Sequence, residues 1–432
     1  MNPKRRPVSF GTILMLALTV IAIGGCAFIF SRLSGGGSVD LSRVVTALQL
    51  SGGDPSVEDI RIRQEGASGN GETGGEKAAA PRATALPAQT DGDGTVKRAT
   101  LTFGGTAAIE TEVRRSCYIN DSGKYDFSEV MRPLRSVFQA DWNGLFLENI
   151  LSDEYKFNAT IVPTDAAQMM SGAGIRSAAC GFSGSFDKGM AGIESTRQAL
   201  ASQGVTALGI GETADMMELN GVRIFLREYT ATLSASTKKA MAKAGNSNAV
   251  SEAETQTIRE DIRSARDRGA DAVIVLIHWG KDGKNVTKAQ RETAREIAEA
   301  GADVIIGSGA RIPQEAEMIS VTGEDGRERS TLCVYSLGTL LSENRKNVKR
   351  LGSYLLHLTF QKTSAGTMMM QTTYTPVYIW RYKQDGKFFY RCVPMNGLPP
   401  DGMDSEQMKT MEKAGNAVTE ALDGSPLTVR VQ

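Results

Sequence analysis

Histidine is scarce in this chain, which has only His278 and His357 among its 432 residues. Zinc and iron sites usually draw several nitrogen or sulfur ligands from the protein. The five cysteines do not make up the shortage, because no two of them form a CxxC pair, which excludes a zinc ribbon and a thioredoxin-type motif. The sequence therefore predicts no metal site built on imidazoles. Free buried thiols are the favoured state of the cysteines, with a disulfide as the alternative.

The chain also lacks an excess of charge of either sign. Lys and Arg together number 49, as do Asp and Glu, so the net charge is zero. No global field attracts a polyanion, and no basic stripe is interleaved with aromatic residues, so a nucleic-acid partner is not expected. Hydrophobic residues make up 41% of the chain, which suffices for one large domain with additional segments.

The N-terminus carries a long apolar run. Basic residues at positions 4–6 precede residues 8–30, which include no charged residue. About 20 apolar residues span a bilayer, whereas the core of a signal peptide has about 7–15. Basic residues before the run favour a cytoplasmic N-terminus. We predict that residues 1–32 are a single-pass anchor in the cell membrane with the rest of the chain outside the cell. Plain secretion, and a lipoprotein attached through Cys26, are the alternatives.

A segment of different composition follows the apolar run. Residues 34–38 are Gly and Ser only, and residues 64–95 are rich in Gly, Ala, Thr, Glu and Pro with no aromatic residue. Such a segment cannot bury enough apolar surface to offset its conformational entropy. We predict a flexible stalk over residues 33–98, with partner docking at residues 39–62 as the alternative.

Periodicity predicts an α/β domain over residues 99–400. Residues 272–277 form a continuous apolar run of strand length, which is typical of a strand covered on both faces. Residues 252–268 and 287–300 have helical periodicity, and each ends at a glycine. Residues 304–306 are the next buried strand, and residues 222–226 are predicted as an earlier strand. Strands that alternate with helices in this way indicate a layered α/β domain.

The C-terminal part has strand patterns without long helices between them. The predicted strands are residues 355–360, 371–380 and 388–393. Asp385 and Gly386 are a tight-turn signal, so antiparallel pairing is expected there. Residues 401–432 are predicted as a helical tail, and residues 231–252 as an exposed insertion in the α/β domain.

Candidate site residues follow the predicted buried strands, because sites in α/β sheets form beyond the carboxyl ends of strands. They are Glu148 and Asn149, then His278, Trp279 and Asp282, and finally Arg311.

We predict a catalytic or ligand role for His278 and Glu148, and ligand binding for Arg311, Asn149, Trp279 and Asp282. A guanidinium suits carboxylate or phosphate. The structural alternatives are a hydrogen-bonded His278, a packed Trp279 and a Glu148–Arg311 ion pair.

Several motifs occur in an order that resembles the bacterial capsule synthesis (CapA) family. They are LTFGG at residues 101–105, LFLEN at 145–149, IHWGKDG at 277–283, AEAGADVIIG at 298–307 and VYSLG at 334–338. The resemblance covers about residues 100–342. It implies a layered fold like that of calcineurin-like metallophosphatases, with a two-metal site. It also implies a role at the outer membrane face in making or anchoring poly-γ-glutamate or polysaccharide capsules.

The chain departs from this family at most of its metal-ligand positions. An aspartate of the family is Thr106 here, its Asn-Asn-His motif reads Phe-Ser-Gly at residues 182–184, and its Gly-His-His-Pro-His motif reads Gly-Ser-Gly-Ala-Arg at residues 307–311. The resemblance leaves Glu148, His278 and Asp282. A two-metal centre needs several carboxylate and imidazole ligands, so no metal and no cofactor are predicted.

The resulting functional hypothesis is a non-catalytic CapA-like protein with a pocket for an anionic group. Its predicted partners are the membrane, through the N-terminal helix, and an anionic envelope polymer or the capsule machinery. The alternatives are an active metal-dependent phosphoesterase or hydrolase with a remodelled site, and a purely structural envelope protein.

Overall fold

The computed structural model describes residues 96–211, 215–323 and 326–430. The predicted anchor, residues 1–32, and nearly all of the predicted stalk, residues 33–98, lie outside the described residues. Within the described ranges, no helix has both the length and the apolar character needed to cross a membrane.

The strands are, in chain order, β1 (Lys97–Ala107), β2 (Tyr118–Ile119), β3 (Lys124–Tyr125), β4 (Trp142–Leu147), β5 (Ile150–Leu151), β6 (Ile161–Val162), β7 (Ser177–Ala179), β8 (Thr206–Leu208), β9 (Met216–Leu219), β10 (Val222–Thr230), β11 (Ala272–His278), β12 (Val304–Ser308), β13 (Ala316–Thr322), β14 (Glu328–Val334), β15 (Thr339–Leu341), β16 (Gly352–Thr363), β17 (Gly366–Met369), β18 (Thr373–Gln384), β19 (Lys387–Pro394) and β20 (Thr428–Val429).

The α-helices are α1 (Thr111–Ser116), α2 (Ser128–Met131), α3 (Gln168–Ala173), α4 (Gly189–Ser202), α5 (Ala235–Lys243), α6 (Thr255–Asp267), α7 (Lys288–Glu299) and α8 (Ser405–Ala421). Short 3-10 helices lie at Arg132–Ser136, Thr164–Ala167 and Val348–Arg350.

Two large sheets organise the domain. The first sheet has the order β19-β18-β16-β1-β4-β7-β8, and the second has the order β13-β14-β12-β11-β10-β9. Strands β1, β4, β7 and β8 are parallel, as are β10, β11, β12 and β14. The prediction of a mixed α/β fold is confirmed.

The apolar cores show that the layers are helices, first sheet, second sheet and helices. Side chains from both sheets pack together in the layer between them, among them Leu101, Phe103, Phe146, Leu226, Ile274 and Ile306. The opposite face of the first sheet packs on α1 to α4, and that of the second sheet packs on α6 and α7. Because β11 is covered on both faces, its sequence is apolar at every position from Ala272 to Ile277.

The predicted helix boundaries around β11 are nearly those observed. Thr287 caps α7, with its side chain accepting from the Gln290 backbone N–H and the Gln290 side chain accepting from Thr287, which is a capping box. The predicted strand at residues 222–226 was too short. Strand β10 continues to Thr230, because Arg227 and Glu228 remain paired with Val275 and Leu276 of β11.

The C-terminal strands complete the first sheet. Strands β16, β18 and β19 are antiparallel neighbours as predicted, and β16 also pairs with β1. Asp385 and Gly386 both have positive φ, as the predicted tight turn requires. In the predicted insertion, α5 is largely exposed, but Met241 and Val250 are buried in the core on the helical side of the first sheet.

The four cysteines of the described part are buried and free.

His357 links β1, β16 and β18 inside the first sheet. Its Nδ1 lies 2.9 Å from Thr102 Oγ1, and its Nε2 lies 2.9 Å from Thr375 Oγ1. Burial, together with the positive charge of Arg430, lowers the pKa of His357 from 6.5 to about 4. The imidazole is therefore neutral in the folded protein at neutral pH.

We predict that His357 makes the protein sensitive to mild acid. In the unfolded state His357 is protonated below about pH 6.5, but in the folded state only below about pH 4. The free energy of unfolding is therefore unaffected by His357 above this range and falls as the pH drops through it. Between about pH 7 and pH 5, protonation of His357 in the unfolded state lowers the free energy of unfolding by about 2 kcal/mol. Urea unfolding of wild type and His357→Gln at both pH values measures it. Equal losses in the two proteins would contradict the assignment.

Candidate functional site

Polar side chains close the layer between the two sheets at the carboxyl ends of the parallel strands. Four of them continue the strand alternation that points Phe146, Leu226, Leu276 and Ile306 into this layer, and Thr106 follows a register shift in β1. All of them are buried: Thr106, Glu148, Glu228, His278 and Ser308. This is the edge at which α/β sheets carry their sites.

Glu148 is the centre of this cluster. Its Oε1 lies 3.2 Å from His278 Nε2, and its Oε2 accepts from Arg311 Nε at 3.0 Å and also from Nη2. Burial opposes ionisation, but the hydrogen bond and charge of His278 and the guanidinium of Arg311 outweigh it, so the pKa of Glu148 is lowered. The group is therefore a buried carboxylate with a permanent cation beside it.

Arg311 is held in place from several sides. Its backbone is left-handed, with φ of 55°, a conformation that costs energy for residues other than glycine. Thr339 Oγ1 donates to the Arg311 carbonyl at 2.7 Å, and Nη1 lies 3.5 Å from Glu110 Oε1. Glu110 is itself fixed, because its Oε2 accepts from Ser342 Oγ at 2.6 Å. The guanidinium thus lies between two carboxylates.

Both ring nitrogens of His278 are engaged. An ionised carboxylate only accepts hydrogen bonds, so His278 Nε2–H donates to Glu148. Nδ1 lies 2.9 Å from Thr232 Oγ1, which in turn lies 2.9 Å from Thr230 Oγ1. No nitrogen of this ring is left over to act as a base toward a ligand.

Asn149 and Trp279, predicted as ligand-binding residues, are in structural positions. Asn149 Oδ1 accepts from Ile109 N at 2.7 Å, and Asn149 Nδ2 donates to the carbonyl of Ile109 at 3.3 Å. Trp279 is 2% exposed and stacks on Tyr335, whose carbonyl accepts from the indole N–H at 2.9 Å. Neither side chain presents a free surface to a ligand.

Asp282 does not join Glu148 and His278. It pairs with Arg350 at 2.7 Å, and 59% of its side chain is exposed. The resemblance aligned Asp282 with a family ligand, but its carboxylate serves a surface ion pair.

A pocket of about 330 Å³ opens beside Arg311. Its charged lining consists of Glu110, Glu148 and Asp187 with Arg311, and Phe182 and Ser183 belong to its wall. Three carboxylates therefore face one guanidinium. Glu110 and Glu148 already contact the Nε, Nη1 and Nη2 atoms of Arg311, so an anionic ligand would meet carboxylates on both sides of the guanidinium.

Comparison with known proteins decides the family. The family model described as bacterial capsule synthesis protein PGA_cap matches residues 100–344, more than half of the chain. The chain belongs to this family. Over 163 residues it is 27% identical to the PGA biosynthesis protein CapA of Bacillus subtilis (strain 168), covering 36% of this chain and 39% of that relative. The match thus spans about two fifths of the relative's length, and the resemblance found in the motifs is confirmed.

Two solved structures align more distantly with this PGA_cap-family chain. A candidate 5′-nucleotidase from Staphylococcus aureus in complex with alpha-ketoglutarate aligns over 73% of this chain and 58% of that chain, with 10% identity and a TM-score of 0.37. The calcineurin-like phosphoesterase YfkN from Bacillus subtilis aligns over 76% of this chain and 99% of that chain, with 12% identity and a TM-score of 0.36.

The metal pair that the family resemblance implies does not fit the residues present. In the described part of the chain, no group of three or more His, Cys, Asp or Glu side chains is arranged to hold a metal ion. Thr106 and Ser308 offer only buried hydroxyls, and both oxygens of Glu148 are occupied by Arg311 and His278. No chemical step through a metal is therefore assigned to this site.

Sequence reasoning missed Glu110 and Glu228. The predicted strand at residues 222–226 ends before Glu228, so Glu228 is not among the predicted site residues. In the structure, Ile224, Leu226 and Glu228 follow one alternation toward the layer between the sheets. A longer strand would have placed Glu228 in the cluster. For Glu110, which follows the end of β1, no local pattern indicates proximity to Arg311, 201 residues away.

The ion pair of Arg311 and Glu148 gives a double-mutant prediction. Arg311→Met leaves Glu148 buried without its permanent cation, so we expect a loss of about 3 kcal/mol in unfolding free energy. Adding Glu148→Gln removes the charge and should restore most of that loss. Urea unfolding of both single variants and the double variant measures the coupling.

Arg295→Met is the matched control, because its ion pair with Glu299 lies on the surface of α7 and exposed pairs contribute at most about 1 kcal/mol. Additive effects of Arg311→Met and Glu148→Gln would contradict the coupling.

Proposed function

We propose that this chain is a non-catalytic member of the capsule synthesis family. It acts at the outer face of the cell membrane in making or anchoring poly-γ-glutamate or another envelope polymer. The observation that carries the proposal is that the guanidinium of Arg311 binds Glu148. Glu148 is the carboxylate that the chain keeps at a ligand position of the family beside His278.

A guanidinium cannot replace a metal ion chemically. It carries one positive charge, stays protonated and has no exchangeable coordination position, so it cannot lower the pKa of a bound water. Its charge also repels a metal cation at the same place. Glu148 is bound by Arg311 and His278, so neither Glu148 nor His278 is free to hold a metal ion. This supports a fold kept without catalysis over an active hydrolase.

The predicted anion-binding role of the pocket stays a prediction. Arg311 Nη1 is its most available donor, because the contact with Glu110 is 3.5 Å long. A carboxylate of a polymer would bind a guanidinium that already contacts Glu110 and Glu148, and Asp187 adds repulsion. These charges favour weak, salt-sensitive binding.

Metal content tests the non-catalytic proposal. The full-length protein, incubated with Mn²⁺ and desalted, should retain less than about 0.1 metal ion per chain by mass spectrometry, because a two-metal centre needs more ligands than this site has. Hydrolysis of p-nitrophenyl phosphate with added Mn²⁺ should equal that of Glu148→Gln. Two tightly bound ions, or a Mn²⁺-dependent rate that Glu148→Gln abolishes, would establish the alternative, an active phosphoesterase.

Membrane attachment has its own test. The apolar run of residues 8–30 supports a span, so the full-length protein should stay in the membrane fraction through a carbonate wash, whereas a chain lacking residues 1–32 should be soluble. Cys26→Ser is the control that separates the two anchors. If Cys26→Ser alone releases the protein, the anchor is a lipid on Cys26 and not a helix.

A further inference from the structure

The side chain of Glu228 reaches from the second sheet to the first. It lies on β10, is 1% exposed, and accepts a hydrogen bond from Gly181 N at 2.9 Å through Oε2. Gly181 and Gly209 follow β7 and β8 of the first sheet and form a slot for the carboxyl group. A Cβ added at Gly209 would lie 2.3 Å from Oε2, and one at Gly181 would lie 3.2 Å from the carboxyl carbon.

The segment that Glu228 holds forms one wall of the pocket beside Arg311. Phe182, Ser183 and Asp187 line that pocket. Within the segment, Ser185 Oγ lies 2.7 Å from Phe182 N and 2.7 Å from the Cys180 carbonyl. The turn is therefore a tight unit, and the hydrogen bond from Gly181 connects it to the second sheet.

We propose that Glu228 is a positioning residue: its carboxyl group ties the turn at residues 181–187 to the second sheet and so sets the wall of the pocket. This proposal rests on the proposed function only in that it explains the shape of the same pocket. The contact itself does not depend on what the pocket binds.

The surroundings of Glu228 favour the neutral acid. The charged or titratable groups near it are Glu148, which His278 and Arg311 hold as a carboxylate, and the buried thiol of Cys180. Burial, and then the negative charge of Glu148, raise the pKa of Glu228 well above its usual range, and the backbone amides of Gly181 and Cys180 only partly oppose this. No cation is among these groups, so an ionised Glu228 would have no counter-charge beside it.

The sign of the pH effect follows. The folded-state pKa of Glu228 is raised, so its contribution to stability is complete below the unfolded value of 4.5 and is lost as the pH rises above it. Glu228→Gln keeps the shape and an acceptor for Gly181 N–H but cannot ionise. Relative to this variant, the unfolding constant of wild type should rise about tenfold per pH unit above about pH 5.

Two measurements on the full chain test the proposal. Urea unfolding at several pH values above about pH 5 compares wild type, Glu228→Gln and Glu218→Gln. Glu218 is the control, because its side chain on β9 is exposed. Hydrogen exchange by mass spectrometry follows peptides over residues 180–189. Exchange there should be unchanged in Glu228→Gln and at least about tenfold faster in Glu228→Ala, because the Gly181 amide loses its acceptor.

Parallel pH profiles of wild type and Glu228→Gln would overturn the neutral acid. Unchanged exchange in Glu228→Ala would overturn the positioning role. If Glu228→Ala does not fold, Gly181→Ala tests the same contact, since its added Cβ presses on the carboxyl group, and faster exchange over residues 180–189 is expected. Bound manganese would refute the proposed function and leave these results unaffected.

Discussion

The buried carboxylate of Glu148 is the constraint around which the site is arranged. A carboxylate removed from water costs several kcal/mol unless a cation and hydrogen bonds compensate it. Arg311 supplies the cation, and His278 supplies a further N–H. Arg311 has a left-handed backbone, its carbonyl accepts from Thr339, and its guanidinium reaches Glu148.

Under the proposed non-catalytic function, the same ion pair explains how a member of the PGA_cap family can keep its architecture without the implied metal chemistry. Carboxylates gathered at the strand ends repel one another, and a cation is needed at their centre. Arg311 lies between Glu110 and Glu148 and meets that need as part of the chain. A resident guanidinium gives the cluster permanent neutralisation, whereas a metal ion would also give it an exchangeable water.

The sequence predicted the central strands of the second sheet and the antiparallel strands of the first, but the site only in part. Strand β11 and helix α7 were found because burial on both faces and a capping box leave local signals. The Glu148–Arg311 pair remained one alternative among several, because 163 residues separate its members and only the strand order brings them together. The neighbours of His278 were misleading. Alternation along β11 turns Trp279 away from the layer between the sheets and toward the helices, so adjacency in sequence did not mean a shared site.

Two buried acids connect the sheets in opposite directions. Glu148 follows β4 of the first sheet and is bound by His278 at the end of β11 and by Arg311 after β12 of the second. Glu228 lies on β10 of the second sheet and is bound by Gly181, which follows β7 of the first. Burial raises the pKa of both groups, but the cation and the histidine beside Glu148 lower its pKa below the usual range, whereas the amides beside Glu228 leave its pKa raised. Apolar packing between sheets is not directional, but these hydrogen bonds are. At the edge where the apolar layer ends, they fix how the sheets meet, and the shape of the pocket follows from that.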